Sequence, residues 1–279
     1  MQQKKLMMEN KNLDIKIIAE IGWNHLGDME LAKEMILAAK NSGSNYAKFQ
    51  TWSVDRLKSG AWDSDGRREI YKKAELSVQN HIELINYCNE VSISFLSSVF
   101  SISDAQLLVD LNCKEVKIPS FESRNIELIE FCDKNFEKVF MSTGTSNFEE
   151  ITNSVKLFNK SELYLMHCVS MYPCNYENAN LNKMIGLMNL HNRVGYSDHI
   201  QGVESAKIAI GEGACVIEKH FTINNDLPGR DNKFAILPDD LKDLSNYISN
   251  RKDMFKDHGL DFQEGELDSR TNYEGRFNG

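Results

Sequence analysis

Residues 15–50 read IKIIAEIGWNHLGDMELAKEMILAAKNSGSNYAKFQ. The segment opens on a short apolar run, IKIIAE (15–20), and closes on another, YAKFQ (46–50), with Leu31, Met35, Ala38 and Ala39 at helical spacing between them. Short continuous apolar runs mark strands buried on both faces, and a helix joining two of them makes a parallel β–α–β unit. The alternation recurs down the chain in ISFLSS (93–98), EVKI (115–118), KVFMS (138–142), ELYLMH (162–167), RVGYS (193–197) and CVIEK (215–219). Helical stretches lie between these runs, such as the one around Ile126, Ile129, Glu130 and Phe131, and they open near Asp, Ser or Asn. About eight such units predict a single-domain α/β fold, a closed (β/α)8 TIM barrel, because an open doubly wound sheet uses fewer.

Composition bounds the kind of molecule. The chain has 279 residues, 41% hydrophobic and 26% charged, with only 4 prolines, which is globular rather than disordered composition. Lys and Arg number 32 against 41 Asp and Glu, a net charge of -9. No nucleic-acid partner is therefore expected, and any anionic ligand must be met by local cations. No apolar run approaches the roughly 18 residues of a membrane span, and MQQKKLMMENKNLD (1–14) lacks the apolar centre of a signal peptide. A cytoplasmic protein without a membrane partner is expected. Its six cysteines are expected to be reduced, since none forms a C-x-x-C pair. Residues 1–14 read as an N-terminal extension, 15–258 as the barrel, and 259–279 as a polar tail or partner-facing arm without apolar periodicity. The longest irregular piece, 51–78, follows the second strand and carries Trp52, Arg56, Trp62, Arg67 and Arg68; long loops at this end of a barrel build active sites.

In such a barrel the reactive face lies at the carboxyl ends of the strands. Here those ends carry Glu20, Lys48 and Gln50, Ser97 and Ser98, Lys117 with Ser120 and Glu122, Ser142 and Thr143, His167, Ser197 with Asp198 and His199, and Glu218 with Lys219 and His220. A lysine ending an apolar strand needs a carboxylate or an anionic ligand, because an unpaired buried ammonium is costly. Lys48 and Lys117 thus either hold a phosphate and a carboxylate, or pair with Glu20 and Glu122 as structural ions. His199 and His220 end successive strands, where both imidazoles would reach one divalent ion, with Asp198 and Asp231 as nearby oxygen groups. The alternative for each is a core or loop histidine satisfied by backbone. GWNHLGD (22–28) lacks the glycine spacing of nucleotide-phosphate loops and is not read as one. STGTSNFEE (142–150) places Ser or Thr three or four residues before Glu, a helix start by capping logic, whose amino terminus would also receive an anionic oxygen.

Taken in order, AEIGWNHLGD, AKFQT, YKKAELS, FLSSVF, VKIPSFES, MSTGT, LMHCVSMYP, GYSDH, VIEKHFT and LPGRDNK resemble the motifs of the N-acetylneuraminate (sialic acid) synthase family, from about Ile17 to Ile248. The resemblance implies the same barrel and a transferase. Its reaction condenses phosphoenolpyruvate with the open-chain aldehyde of an N-acylated amino sugar, forming a sialic-acid-like 3-deoxy nonulosonic acid and releasing phosphate. It implies that Lys48, Ser98, Lys117, Ser120, Ser142 and Ser197 hold phosphoenolpyruvate, and that His199 and His220 bind Mn2+ or Mg2+. It further implies that Glu20 and Glu122 are catalytic, handling water and proton transfers, that Gln50, Tyr172 and Asp231 touch the sugar, and that the protein is a homodimer.

Departures from the family pattern fall where specificity would lie. Family members usually show Asn where this chain has Leu26, Gly where it has Phe121, Thr-Pro where it has Ser98-Val99, and Pro where it has Arg230. Most also continue into a C-terminal antifreeze-like domain, whereas this sequence stops near the linker, so acceptor recognition is expected to differ or to come from another chain. Phe121 is expected to narrow the pocket beside Glu122, and Arg230 either to read an anionic acceptor or to pair with Asp231 or Asp226. Met in place of either lysine is expected to weaken phosphoenolpyruvate binding and to stabilise the unliganded protein. Two other readings are a different metal-dependent barrel enzyme, an aldolase or sugar isomerase, and a non-catalytic sugar-binding homologue.

Overall fold

The computed structural model describes residues 14–277. The expected N-terminal extension, 1–14, lies outside the described residues apart from Asp14, as do the side chain of Trp62 and residues 278–279. Parallel strands close into a barrel in sequence order: β1 Lys16–Gly22, β2 Tyr46–Thr51, β3 Ser94–Val99, β4 Glu115–Ile118, β5 Lys138–Ser142, β6 Glu162–Cys168, β7 Val194–Asp198 and β8 Val216–His220, which pairs back onto β1. Around them run α1 Met29–Asn41, α2 Arg67–Ala74, α3 Val78–Glu90, α4 Ile102–Asp110, α5 Ile126–Asn135, α6 Phe148–Val155, α7 Leu181–Leu187, α8 Glu204–Gly211 and α9 Pro238–Met254. The barrel expected from the sequence is the barrel observed.

Alternation of side chains along each strand sorts the core into two layers. Ile18, Tyr46, Leu96, Phe140, Met166 and Val216 point inward and fill the barrel floor. There the Phe140 ring lies 5.4 Å from Tyr46 and 4.8 Å from Tyr164. The opposite faces, among them Ile17, Phe49, Val116, Met141, Tyr196 and Ile217, pack against the helices. α1 shows why the helices sit as they do. Asp28 caps it by accepting from the N–H groups of Glu30 and Leu31, and Ala32, Met35, Ile36 and Ala39 form its buried stripe.

Several local expectations need correction. The helix expected in STGTSNFEE is α6, but its cap is Asn147, which exchanges hydrogen bonds with Glu150. The Ser146 hydroxyl is already engaged by Ser123 at 2.8 Å. Residues 51–78 are not irregular: single 3-10 turns at Val54–Arg56 and Ala61–Asp63 lead into α2. That helix buries only Ala74 and so left no apolar stripe to read. The arginines of this segment are committed to acids, Arg67 to Asp65, Arg68 to Asp63 and Arg56 to the buried Asp104. From the last turn of α9 onward, residues 252–277 are all exposed and include a short helix, α10 Leu267–Asn272. Among the described residues no helix is long and apolar enough to cross a membrane, and the six cysteines are free thiols.

Candidate active site

Above the apolar floor the inward positions become polar. Glu20 Oε2 stands 2.6 Å from Lys48 Nζ, Lys48 Nζ 3.6 Å from Glu218 Oε1, and Glu218 Oε2 2.5 Å from Lys117 Nζ. The four make a buried row of alternating charge. Gln50 Nε2 donates to Glu20 Oε1 at 2.6 Å, Lys48 Nζ to Ser98 Oγ at 2.9 Å, and Ser197 Oγ to Glu218 Oε1 at 3.0 Å. Lys48 therefore pairs with Glu20, one of the alternatives read from the sequence, but the acid of Lys117 is Glu218 and not Glu122. Glu218 projects from β8 across the barrel. Glu122 lies beyond β4 in the 3-10 turn Ser120–Glu122, half-buried, its carboxylate taken by Asn125 Nδ2 at 2.8 Å. Because Lys117 is paired, Lys117→Met breaks a buried ion pair. It is thus expected to destabilise the unliganded protein, contrary to the expectation above.

The row sorts its two carboxyls. Burial pushes Glu218 up, but the Lys117 and Lys48 ammoniums outweigh burial and hold it down at about 2. Burial also pushes Glu20 up; Lys48 opposes and Glu218 reinforces the shift, leaving Glu20 above the ordinary carboxyl range. One acid thus stays ionised at neutral pH and the other has a raised affinity for a proton, the pairing expected of a proton-transfer site.

A hydroxyl cradle adjoins the row. Ser120 Oγ accepts from Gly144 N–H at 3.1 Å, while the hydroxyls of Ser142 and Ser170 are buried without a hydrogen-bond partner. A Cβ on residue 144 would stand 2.3 Å from Ser170 Oγ and 2.8 Å from Ser120 Oγ, so only glycine leaves this cradle open. Unpaired buried hydroxyls are costly unless an acceptor arrives. Ser170 and Gly144 were not singled out from the sequence. Gly144 sits inside the quoted STGT, where the missing side chain was the available signal.

His199 and His220 come together as expected, with ring centroids 5.4 Å apart, and the Tyr172 ring lies 4.1 Å from His199 and 6.0 Å from His220. His199 Nδ1 donates to the Val169 carbonyl at 2.8 Å, which in the neutral ring leaves Nε2 as an acceptor. Burial holds His220 neutral, well below the usual histidine range, and its Nδ1 is buried without a hydrogen-bond partner, 3.5 Å from Asp231 Oδ2. Two imidazoles with free lone pairs, one of them orphaned, fit a divalent cation. Among the described residues no group of three or more His, Cys, Asp or Glu is placed to hold one, so the remaining positions would fall to water and substrate, as in an open catalytic site. At His199 burial opposes the imidazolium, but the negative charge of a Cys168 thiolate, with Sγ 3.9 Å from Nδ1, together with the Val169 carbonyl and the Glu218 carboxylate outweighs it and leaves the pKa raised. A cation binding there would displace a proton.

Some strand-end residues do not reach this mouth. Asp198, expected as a nearby oxygen group for the ion, faces the helix layer with Lys219 and Ser205. His167 also faces outward, donating to the Ala179 carbonyl at 2.8 Å and stacking on Tyr196. Asn24 of GWNHLGD clasps β1 to the end of β8 by donating to the Phe221 carbonyl at 2.9 Å, a structural role.

An aromatic arc rims the mouth. Trp23 donates to Asp231 Oδ2 at 2.5 Å and stacks on Tyr71 at 5.2 Å; Tyr71 meets Trp52 edge-on, Trp52 meets Phe100, and Phe100 stacks on Phe121 at 5.6 Å. Burial raises Asp231 above the usual carboxyl range. Phe121 is 55% exposed, so it extends the rim rather than filling the pocket. Arg230 donates to the Tyr172 carbonyl at 3.1 Å.

The model of the NeuB family matches residues 35–259. The N,N'-diacetyllegionaminic acid synthase of Legionella pneumophila is 38% identical over 251 residues, covering 83% of this chain and 70% of that protein. The pseudaminic acid synthase of Helicobacter pylori is 33% identical over 236 residues, covering 79% of this chain and 69% of that protein. Among solved structures, the N-acetylneuraminic acid (sialic acid) synthetase of Leptospira borgpetersenii serovar Hardjo-bovis, crystallised with citrate, superposes with a TM-score of 0.84 at 30% identity. That match covers 96% of this chain and 93% of that one.

Proposed function

The chain belongs to the NeuB family, and from that premise we propose that it condenses phosphoenolpyruvate with the open-chain aldehyde of an N-acylated amino sugar, yielding a sialic-acid-like 3-deoxy nonulosonic acid and phosphate. The observation that carries this reading is the meeting of buried Lys48 and Lys117 with Ser98, Ser120, Ser142 and Ser197 at one mouth of an acidic protein. Two ammoniums and several hydroxyl donors suit a small ligand bearing a phosphate and a carboxylate. Ligand oxygens would take over the contacts that Glu20 and Glu218 now make to the lysines.

The chemistry then follows from position. The enol carbon of phosphoenolpyruvate attacks the aldehyde carbon, and water adds at the carbon bearing the phosphate. Collapse of that tetrahedral centre breaks its bond to the phosphate oxygen and leaves a 2-oxo acid. Glu20, with its raised proton affinity, moves the proton to or from water once ligand oxygens have taken its place at Lys48 Nζ. Lys48 and Lys117 neutralise the departing phosphate. His199 and His220 would hold Mn2+ or Mg2+, which would supply polarisation of the aldehyde oxygen. Tyr172, packed on both imidazoles, and Asp231, anchored by Trp23, orient the sugar.

The finer reading concerns the acceptor. A rim built from Trp23, Tyr71, Trp52, Phe100 and Phe121 favours apolar acyl groups over a charged substituent, and the buried Trp52 Nε1 has no hydrogen-bond partner, a donor suited to an amide carbonyl. Relatives named for an N,N'-diacetylated product support a di-N-acylated deoxyhexose acceptor. The test is phosphate release from phosphoenolpyruvate with a di-N-acylated deoxyhexose, N-acetylmannosamine and its phosphate. The first is expected to give the highest kcat/KM. Preference for the phosphorylated sugar would overturn the acceptor reading, and no release with any acceptor would overturn the condensation itself. Chelation is expected to abolish turnover and Mn2+ to restore it, with His199→Ala lowering kcat/KM roughly a hundredfold. Full turnover in chelator would remove the cation from the scheme.

A further inference from the structure

Asp198 and Lys219 form an ion pair that none of the chemistry above uses. They are register neighbours on β7 and β8, 3.0 Å apart, with side chains 0% and 2% exposed. Tyr196 and Ile217, two residues earlier on the same strands, lie in the layer between barrel and helices. Alternation therefore turns both charges away from the mouth and out of reach of substrate. Such a pair adds little stability, since apolar replacements of similar shape are commonly neutral or better.

What the pair holds is backbone. Asp198 Oδ1 accepts from the N–H of Ile200 at 2.9 Å and Lys219 Nζ donates to the carbonyl of the same residue, while Ser205 Oγ of α8 donates to Asp198 Oδ2 at 2.6 Å. His199 thus sits between two residues that are gripped from β8. Its own carbonyl accepts from Cys174 N–H at 2.9 Å and its Nδ1 is tied to Val169. Lys219 immediately precedes His220, so one ion pair ties together the two strand ends that carry the imidazoles.

We propose that Asp198 and Lys219 are positioning residues that fix the β7 and β8 ends so that His199 and His220 address one divalent cation together. The proposal rests on reading these histidines as the cation's ligands. Residues that orient metal ligands typically change affinity by about 10- to 100-fold. The experiment is calorimetric titration of the full chain with Mn2+ for wild type, His199→Ala and the double variant Asp198→Asn/Lys219→Met, with thermal unfolding and steady-state kinetics on each. The double variant is expected to unfold close to the wild-type temperature yet to bind Mn2+ about tenfold or more weakly, with kcat lowered and KM for phosphoenolpyruvate unchanged. A folded double variant with wild-type Mn2+ affinity overturns the positioning role and leaves the ligand reading intact. Equal Mn2+ binding by wild type and His199→Ala overturns the ligand reading and the positioning role with it. Should the double variant not fold, Ser205→Ala removes a single hydrogen bond from Asp198. Weaker Mn2+ binding at an unchanged unfolding temperature then supports the proposal, and unchanged affinity overturns it.

Discussion

Glu218 lies between two ammoniums, and its carboxyl falls from an ordinary 4.5 to about 2 on folding. A carboxyl depressed in this way stabilises the fold fully above its ordinary pKa and loses that contribution as the pH drops toward 2. Glu218→Gln is expected to cost roughly 3 kcal/mol at pH 7 by leaving Lys117 unpaired. Urea unfolding of both proteins at pH 7 and pH 3 should show the gap narrowing at the lower pH. An equal gap at both would mean that the ionised carboxylate is not its source. A second single-residue effect lies at Leu26, whose φ is +47. Left-handed backbone there disfavours a leucine and suits the Asn that the family usually carries, so Leu26→Asn is expected to raise stability by about 0.5–1 kcal/mol in the same assay. Residue types were enough to mark Lys48, Glu20 and the two histidines from the sequence. Partnership was not legible: that Lys117 belongs to Glu218 depends on which strand faces it across the barrel, a distance of 101 residues in sequence.

The strands themselves were legible because a strand buried on both faces leaves no polar gap, and all eight runs coincide with β1 to β8 to within two residues. The same continuity hid which face each residue takes. Asp198, Lys219 and His167 read as mouth residues until the inward set is fixed by the floor, Val216 placing Glu218 and His220 inside and Ile217 placing Lys219 outside. α2 was missed because a polar helix with one buried residue has no period to detect. Close strand contact makes its own demand at Gly195 of β7. A Cβ there would stand 2.2 Å from Val216 Cγ1 and 2.6 Å from the Val216 carbonyl oxygen on β8. Gly195→Ala is expected to destabilise by about 3 kcal/mol through overpacking the barrel wall. Thermal unfolding measures it, and an unchanged midpoint would show that β7 and β8 can part without cost.

In the molecule as a whole the candidate chemistry is confined to the barrel, between Glu20 and Asp231, while residues 252–277 are all exposed. That arm displays Leu260, Phe262, Leu267, Tyr273 and Phe277 to solvent. Its internal contacts are local, such as the Arg270 guanidinium over the Phe262 ring. Apolar area that is not removed from water contributes nothing to folding. Deletion of residues 258–279 is therefore expected to shift the thermal midpoint by less than about 2 °C, the scale of a change under 1 kcal/mol in a domain of this size. The phosphoenolpyruvate contacts argued above, from Lys48 to Ser197, also lie outside the arm, so calorimetric affinity for phosphoenolpyruvate should survive the deletion unchanged. A truncated chain that unfolds at the wild-type temperature but binds phosphoenolpyruvate more weakly would place arm residues over the mouth, and the barrel could then no longer be treated as a complete binding unit for this ligand.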